Sequence, residues 1–202
     1  MKTRLCVLIA LLLPIAILSQ TIVPAGNIHG TWTLAGSPYL IEGNTTILNG
    51  YTLTIEPGVT VEWQGSYTMF VQGRILAEGT ATDTILFTAK IKEYGFNSIR
   101  FLNTPASNDT SRFTYCRIEY GKAYGLAPDN SGGGIGMIDY DKLVISHCLF
   151  YKNSALIMSD DNPAGGAIAL NNSSPIIKNC KFYQNESLSG AGILCYNASN
   201  PE

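Results

Sequence analysis

One four-residue pattern recurs three times, at Tyr115-Cys116-Arg117-Ile118, His147-Cys148-Leu149-Phe150 and Asn179-Cys180-Lys181-Phe182. The cysteines of successive copies are 32 residues apart. The same offset relates two further sets of positions, which are Phe113, Ile145 and Ile177 before the cysteines and Gly121, Asn153 and Asn185 after them. A constant period of this length is typical of repeat proteins, in which each repeat forms one structural unit.

A second marker recurs in the same region, at residues 133–137, 166–170 and 191–195. In each copy apolar residues stand two apart after a lead-in of small residues, and this period of two predicts a strand with one buried face. Each repeat should then hold three short strands. The second copy lies farther from the first than from the third, which predicts an inserted segment at residues 156–163.

Short strands that recur at like positions predict a solenoid, because one coil cannot bury its inner face alone and coils stacked about 4.8 Å apart can. Phe150 and Phe182 should stack inside, and turn asparagines should form a hydrogen-bonded ladder along the stack. Gly121 shares a column with Asn153 and Asn185. Glycine and asparagine tolerate positive φ best, so this column is expected to be a left-handed bend.

Composition agrees with an all-β chain that has many turns. Hydrophobic residues make up 46% of the 202 residues and charged residues only 14%, while glycine is abundant at 20 residues. The formal net charge is −2. This balance argues against a nucleic-acid-binding protein, which would carry a basic surface.

The N-terminus has the features of a secretory signal peptide. Lys2 and Arg4 precede an apolar run at residues 5–18, and the small residue Ser19 suits a cleavage site. We therefore expect a signal peptide at residues 1–19 and a mature domain at residues 20–202, secreted or at the cell surface and without a membrane span. An uncleaved anchor is the alternative.

Four cysteines remain in the expected mature chain, and they are Cys116, Cys148, Cys180 and Cys195. An even number in an exported protein favours two disulfides. The repeat favours buried thiols instead, because three of the four share one column and the fourth aligns with apolar residues of a different strand. The stacking distance would permit a bridge, so both interpretations stand, and mostly reduced thiols are the prediction.

No catalytic, cofactor-binding or metal-binding site is predicted. Four acids occur in close pairs and are interpreted as turn residues, and they are Asp139, Asp141, Asp160 and Asp161. The segment that begins at Gly133 approaches the calcium-binding nonapeptide, but Ile138 stands where that motif has Asp. The two histidines, His29 and His147, belong to no nucleophile motif.

The charged and aromatic residues of the strands are expected on the outer face. Arg100 and Arg117 should stand there alone. Tyr151 and Tyr183 directly follow the inward phenylalanines and should also face outward, in a column that begins with Glu119. A tyrosine stripe of this kind can stack on sugar rings, although solvent-facing strand residues of good β-propensity have the same pattern.

The first half of the mature chain is less regular but has strand candidates at residues 53–55, 59–61, 69–76 and 84–88. With Thr52-Leu53-Thr54-Ile55-Glu56-Pro57-Gly58-Val59, Gly73-Arg74-Ile75-Leu76-Ala77 and the later repeats, the chain resembles exported bacterial right-handed parallel β-helix proteins of pectate-lyase-like fold. This resemblance covers residues 28–202 and implies the fold more strongly than the function. The chain ends within a repeat, so we expect that it is cut short at its C-terminus.

Proteins of the family it resembles include polysaccharide lyases, hydrolases and adhesins. The expected function is a non-catalytic scaffold, secreted or at the cell surface, for adhesion or for contact with a polysaccharide or a cell-envelope component. The alternative is a polysaccharide lyase or glycoside hydrolase whose site lies in C-terminal coils that this chain lacks. A cluster of acids and bases on adjacent coils would favour the enzyme, and the sequence shows none.

Overall fold

A computed structural model describes residues 20–125, 129–155 and 165–202. The expected signal peptide at residues 1–19 and the expected insertion at residues 156–163 lie outside this part. A 3₁₀ turn spans Leu34–Gly36. The strands follow in chain order as β1 (Thr21–Val23), β2 (Gly26–Asn27), β3 (Gly30–Trp32), β4 (Tyr39–Ile41), β5 (Thr45–Ile47), β6 (Thr52–Ile55), β7 (Thr60–Trp63), β8 (Thr68–Val71), β9 (Arg74–Glu78), β10 (Ile85–Ala89), β11 (Ser98–Phe101), β12 (Ser111–Thr114), β13 (Cys116–Glu119), β14 (Lys122–Ala123), β15 (Ile135–Ile138), β16 (Leu143–Ser146), β17 (Leu149–Tyr151), β18 (Ser154–Ala155), β19 (Ile168–Asn171), β20 (Ile176–Lys178), β21 (Lys181–Tyr183), β22 (Glu186–Ser187) and β23 (Ile193–Tyr196).

The strands of the described residues stack into four sheets. Sheet I has the order β1-β4-β7-β10-β13-β17-β21, and sheet II has β2-β5-β8-β11-β15-β19-β23. Sheet III has β3-β6-β9-β12-β16-β20, and the short sheet IV has β14-β18-β22. Neighbouring strands pair in parallel and come from successive coils. The described residues therefore form the parallel solenoid that the repeat predicts, and this is the right-handed parallel β-helix that the resemblance implies.

Inward side chains form continuous ladders along the stack. In sheet I, Ile118 pairs with Phe150, and Phe150 pairs with Phe182 in the next coil. The two phenylalanine rings are 5.1 Å apart between centroids and 8° from parallel. This confirms the predicted register, in which a one-residue slip would have turned both rings outward.

The cysteines lie in the predicted columns. Cys116 and Cys148 are buried, Cys180 is half-buried, and all four thiols of these coils are free. The Cys116 N–H donates to the Cys148 sulfur over 3.4 Å. Cys195 pairs with the inward residue Leu170 but is exposed, because it belongs to the last coil of the structure.

The predicted asparagine ladder is present at the corner that follows sheet I. The Gly121 N–H donates to Asn153 Oδ1 over 2.9 Å, and Asn153 Nδ2 donates to the Ile118 carbonyl oxygen over 2.9 Å. One coil later the Asn153 N–H donates to Asn185 Oδ1 over 3.0 Å. Asn185 Nδ2 donates in turn to the Phe150 carbonyl oxygen over 3.0 Å. Each amide side chain therefore bonds the backbone of the preceding coil.

The left-handed bend lies one residue before the column in which it was predicted. The φ angle is 61° at Tyr120, 53° at Lys152 and 53° at Gln184. Asn153 and Asn185 are not among the residues with positive φ, so the prediction of a left-handed bend at these two asparagines is wrong.

Space and hydrogen bonding, rather than a positive φ, determine which residues occupy the column of Gly121. A Cβ atom at Gly121 would lie 2.0 Å from the Gly133 carbonyl oxygen, so only glycine fits there. At the equivalent position Asn153 is fully buried and supplies the ladder amide. The close approach requires glycine and the hydrogen bond requires asparagine, and these are also the two residue types that positive φ favours. The sequence pattern alone therefore does not show which of these requirements applies.

The N-terminal half departs from the prediction at one candidate strand. Residues 69–76 form two strands, β8 and β9, rather than one. The chain turns between them at Gly73, where a Cβ atom would lie 2.3 Å from the Leu48 carbonyl oxygen. The two-residue strands of sheet IV were also not predicted, because two residues are too short for an alternating pattern.

Helices contribute almost nothing to this architecture. Within the residues that the structure describes, no helix has the length and apolar character that crossing a membrane requires.

Candidate functional site

The tyrosine stripe, Tyr151 and Tyr183, lies on the outer face of sheet I as predicted. The two residues pair in register, and their rings are 5.8 Å apart between centroids and 7° from parallel. Tyr183 is 60% exposed. Strands β17 and β21 hold the two rings parallel to each other. The stripe is therefore a flat aromatic surface that spans two adjacent coils.

Glu119 precedes Tyr151 by one coil in the same column, but its carboxylate is enclosed. The residue is only 6% exposed, and it accepts hydrogen bonds from the Thr88 hydroxyl at 2.8 Å and from Arg117 Nε at 2.5 Å. The Lys92 ammonium lies 3.8 Å from it. Arg117 was expected to stand alone, and this is wrong, since it is paired with Glu119. The guanidinium of Arg117 also lies 5.0 Å from the Tyr151 ring centroid.

A cleft of about 490 Å³ lies beside the stripe, at the corner between sheets I and IV. The left-handed residues Tyr120, Lys152 and Gln184 turn the chain at this corner, one in each successive coil, and all three line the cleft. We call this cavity the lysine cleft. Its lining consists of Lys92, Tyr120, Lys122, Lys152, Asn153, Ser154, Gln184 and Glu186.

Aromatic rings and backbone oxygens, rather than acids, are the partners of most of the cleft's cations. The Lys152 ammonium lies 5.2 Å from the Tyr151 ring centroid, and its interaction with this tyrosine raises the pKa of the amine. The Lys122 ammonium donates to the Glu93 carbonyl oxygen over 2.5 Å. Lys92 lies 4.9 Å from the Tyr120 ring centroid and donates to the Thr88 hydroxyl.

The stripe and the lysine cleft form one continuous surface. Tyr120 lines the cleft, and its ring meets the Tyr151 ring edge-on at a centroid distance of 5.9 Å. A ligand on the stripe would therefore have cationic groups along its edge. Such a surface combines an apolar face for a flat ring with charge-assisted hydrogen-bond donors.

The acids singled out by sequence lie elsewhere, and two of them bond the equivalent turn of the next coil. Asp139 accepts from Asn172 Nδ2 at 2.8 Å, and Asp141 accepts from the Ser174 N–H at 2.7 Å. Their interpretation as turn residues is confirmed, whereas Asp160 and Asp161 lie outside the described residues. Across the described ranges no three His, Cys, Asp or Glu side chains are grouped so that they could hold a metal ion.

Both histidines are exposed on the outer surface. His147 is an exposed turn residue with a φ of 55°, as predicted, and it stacks on Tyr115 at a centroid distance of 4.7 Å. His29 lies against Tyr51 at 4.9 Å. The aromatic and amide neighbours of His147 in the adjacent coils give it a packing role.

Arg100 is the second arginine that was expected to stand alone, and this expectation is also wrong. Its side chain is 3% exposed and lies 3.5 Å from the Asp129 carboxylate. Burial lowers the pKa of Arg100 to about 10, and the carboxylate of Asp129 opposes this effect. Arg100 is therefore a buried arginine paired with the half-exposed carboxylate of Asp129.

The lysine cleft was not found from the sequence. Its lysines do not recur in one ladder column, since Lys122 pairs with Ser154, and Lys152 occupies the bend position of Tyr120 and Gln184. One feature of the sequence could have indicated the cleft, namely that successive lysines at Lys92, Lys122 and Lys152 are 30 residues apart. That spacing is close to the repeat, so it places the lysines near one another without placing them in one column.

Comparison with known proteins agrees with the geometry. The family model described as "Right handed beta helix region" matches residues 90–202, which is more than half of the chain. Neither the curated proteins nor the solved structures that were compared with the chain include a match.

Proposed function

The chain belongs to the right-handed β-helix family, and from this premise we propose that it is a non-catalytic scaffold that contacts polysaccharide through the tyrosine stripe. We place this scaffold outside the cytoplasm, as a secreted or cell-surface protein, on the basis of the signal-peptide pattern at residues 1–19.

The observation that carries the proposal is the parallel stacking of Tyr151 and Tyr183 on the outer face of sheet I. Tyrosine presents a rigid apolar ring and a polar hydroxyl, a combination suited to the face and edge of a sugar ring. The rings already lie parallel, so little side-chain entropy would be lost on binding.

A second feature supports a binding role rather than a catalytic one. The carboxylate one coil before the stripe in its column, Glu119, is buried and engaged by Thr88 and Arg117. Glycoside hydrolysis needs a pair of carboxyl groups flanking the scissile bond. Among the described residues that line the adjoining cleft, Glu186 is the one carboxylate, so no such pair lies there.

The test is a glycan array probed with the full chain, followed by a reducing-end assay on each polysaccharide that binds. We expect binding without release of reducing ends. Release of reducing ends, lost on substitution within these coils, would contradict the proposal and favour the lyase or hydrolase alternative.

The stripe itself is tested by Tyr183→Ala, with Tyr51→Ala as the matched control on a distant part of the surface. Losing one stacked ring should weaken binding about tenfold, which is about 1.4 kcal/mol and lies at the low end of the roughly 1–3 kcal/mol that an aromatic side chain contributes to stacking of a nucleic-acid base. Tyr51 is also half-exposed, so its replacement should leave the affinity unchanged. Equal affinities of the two variants would exclude the stripe as the contact surface.

A further inference from the structure

We infer that the lysine cleft makes this surface selective for polysaccharides that carry anionic groups, either carboxylate or sulfate. The inference rests on the proposed function, and it names the class of polysaccharide. It follows from the charge, the shape and the position of the cleft.

The charge of the cleft is opposite to that of the chain. The formal net charge of the protein is −2, yet three of its lysines line this single cavity. Among the described lining residues the one carboxylate is Glu186. The nearby Glu119 is already engaged by Arg117 and by Lys92, so its charge is compensated before any ligand arrives.

Two of the three lysines keep an uncompensated charge. Within the described part of the chain, no carboxylate oxygen lies within ion-pair distance of the Lys122 or Lys152 ammonium group. Lys122 donates to a backbone carbonyl, and Lys152 lies against an aromatic ring. Neither contact uses all three donors of an ammonium group, so both lysines can bind an anion as well.

The shape of the cleft suits a polymer better than a small ion. The lining residues come from four successive coils, those of β10, β13, β17 and β21, so the cleft runs along the axis of the solenoid. The adjoining tyrosine stripe runs along the same axis. A polysaccharide lying along this axis would stack its rings on the stripe and direct its acidic groups to the lysines.

Two pairs of polymers distinguish recognition of carboxylate from recognition of sulfate. Alginate is compared with alginate whose carboxyl groups have been reduced, and dextran sulfate is compared with dextran. Binding is measured by the retardation of the folded full chain in gels that contain each polymer. We expect retardation by alginate or dextran sulfate, which identifies carboxylate or sulfate, and at least about tenfold weaker binding to the neutral counterpart of each. Added salt should weaken the anionic binding, because exposed charges are screened.

The lysines are tested by the double variant Lys122→Gln/Lys152→Gln. Lys142→Gln/Lys178→Gln is the control, since it removes the same charge at exposed positions near and on sheet III. The cleft variant should lose at least about tenfold in affinity and the control less than about twofold. Urea unfolding of both variants should match the parent chain, because the four side chains lie outside the core.

Four results would overturn the inference. Equal losses in the two double variants would mean diffuse attraction rather than a site. Tighter binding of a single-stranded DNA oligonucleotide than of either anionic polymer would make the cleft a nucleic-acid site. Equal retardation by charged and neutral polymers would contradict the selectivity for anionic groups but not the proposed contact with polysaccharide. No binding to any glycan would contradict both the selectivity and the proposed function.

Discussion

At Asn153 one buried side chain bonds three successive coils. Its amide accepts from Gly121, donates to Ile118, and lies 3.1 Å from Asn185 Oδ1 in the next coil. Buried backbone groups that lose such a partner are costly, because no water replaces it. Asparagine is required here for its two-sided hydrogen bonding, which explains why the column is asparagine or glycine without being left-handed.

Replacing Asn153 with alanine should therefore destabilise the protein by about 3 kcal/mol, as two buried backbone groups lose their partner. Asn27→Ala is the control, since Asn27 is exposed in strand β2 and is not among the residues with positive φ. It should cost less than about 1 kcal/mol. Urea denaturation gives both values, and equal losses would show that the ladder contributes little.

The corrected position of the bend predicts that glycine substitutions at two adjacent residues change the stability in opposite directions. Gln184→Gly should be neutral or stabilise by about 0.5 kcal/mol, because relief of the left-handed conformation slightly exceeds the entropy cost of glycine. Asn185→Gly should destabilise by about 1–2 kcal/mol, because it removes a ladder amide. The same denaturation measurement compares the two, and the reverse order of stability would restore the original assignment of the bend.

Among the elements, strands β13, β17 and β21 do two things at once. Their inward positions stack cysteine on cysteine and phenylalanine on phenylalanine, and their outward positions present the tyrosine stripe. Parallel pairing in register brings like residues together on both faces. The core ladder therefore determines the spacing of the outer surface.

The cysteine column predicts an order of thiol reactivity. Hydrogen bonding with Cys116 raises the pKa of Cys148, and hydrogen bonding with Cys148 raises the pKa of Cys180, so little reactive thiolate forms at neutral pH. In native protein purified without reductant, the exposed Cys195 should be alkylated first and the buried Cys116 and Cys148 last.

After denaturation all four thiols of the coils should react, with Cys6 counted separately if residues 1–19 are present. Mass spectrometry of the alkylated peptides gives the order and the number. A pair of coil cysteines that resists alkylation until a reductant is added would establish an inter-coil disulfide and contradict the thiol column.

At the scale of the whole molecule, the repeat made most of the fold predictable. Inward positions such as Ile145 and Ile177 recur because a stacked coil accepts only similar residues there, so sequence and structure share one period. The corners were less predictable, since a bend tolerates Tyr120, Lys152 or Gln184 when the side chain points outward. The lysine cleft is formed at such a corner, from different columns, and no single column contains its pattern.

Hydrogen–deuterium exchange of the full chain, with and without a saturating anionic polysaccharide from the retardation assay, tests the central claim most directly. The account predicts slower exchange at the backbone amides of β13, β17 and β21 and of the adjoining corner, because the ligand would cover this face. Sheets II and III should exchange unchanged. Protection on either of these sheets, with none on sheet I, would contradict the account.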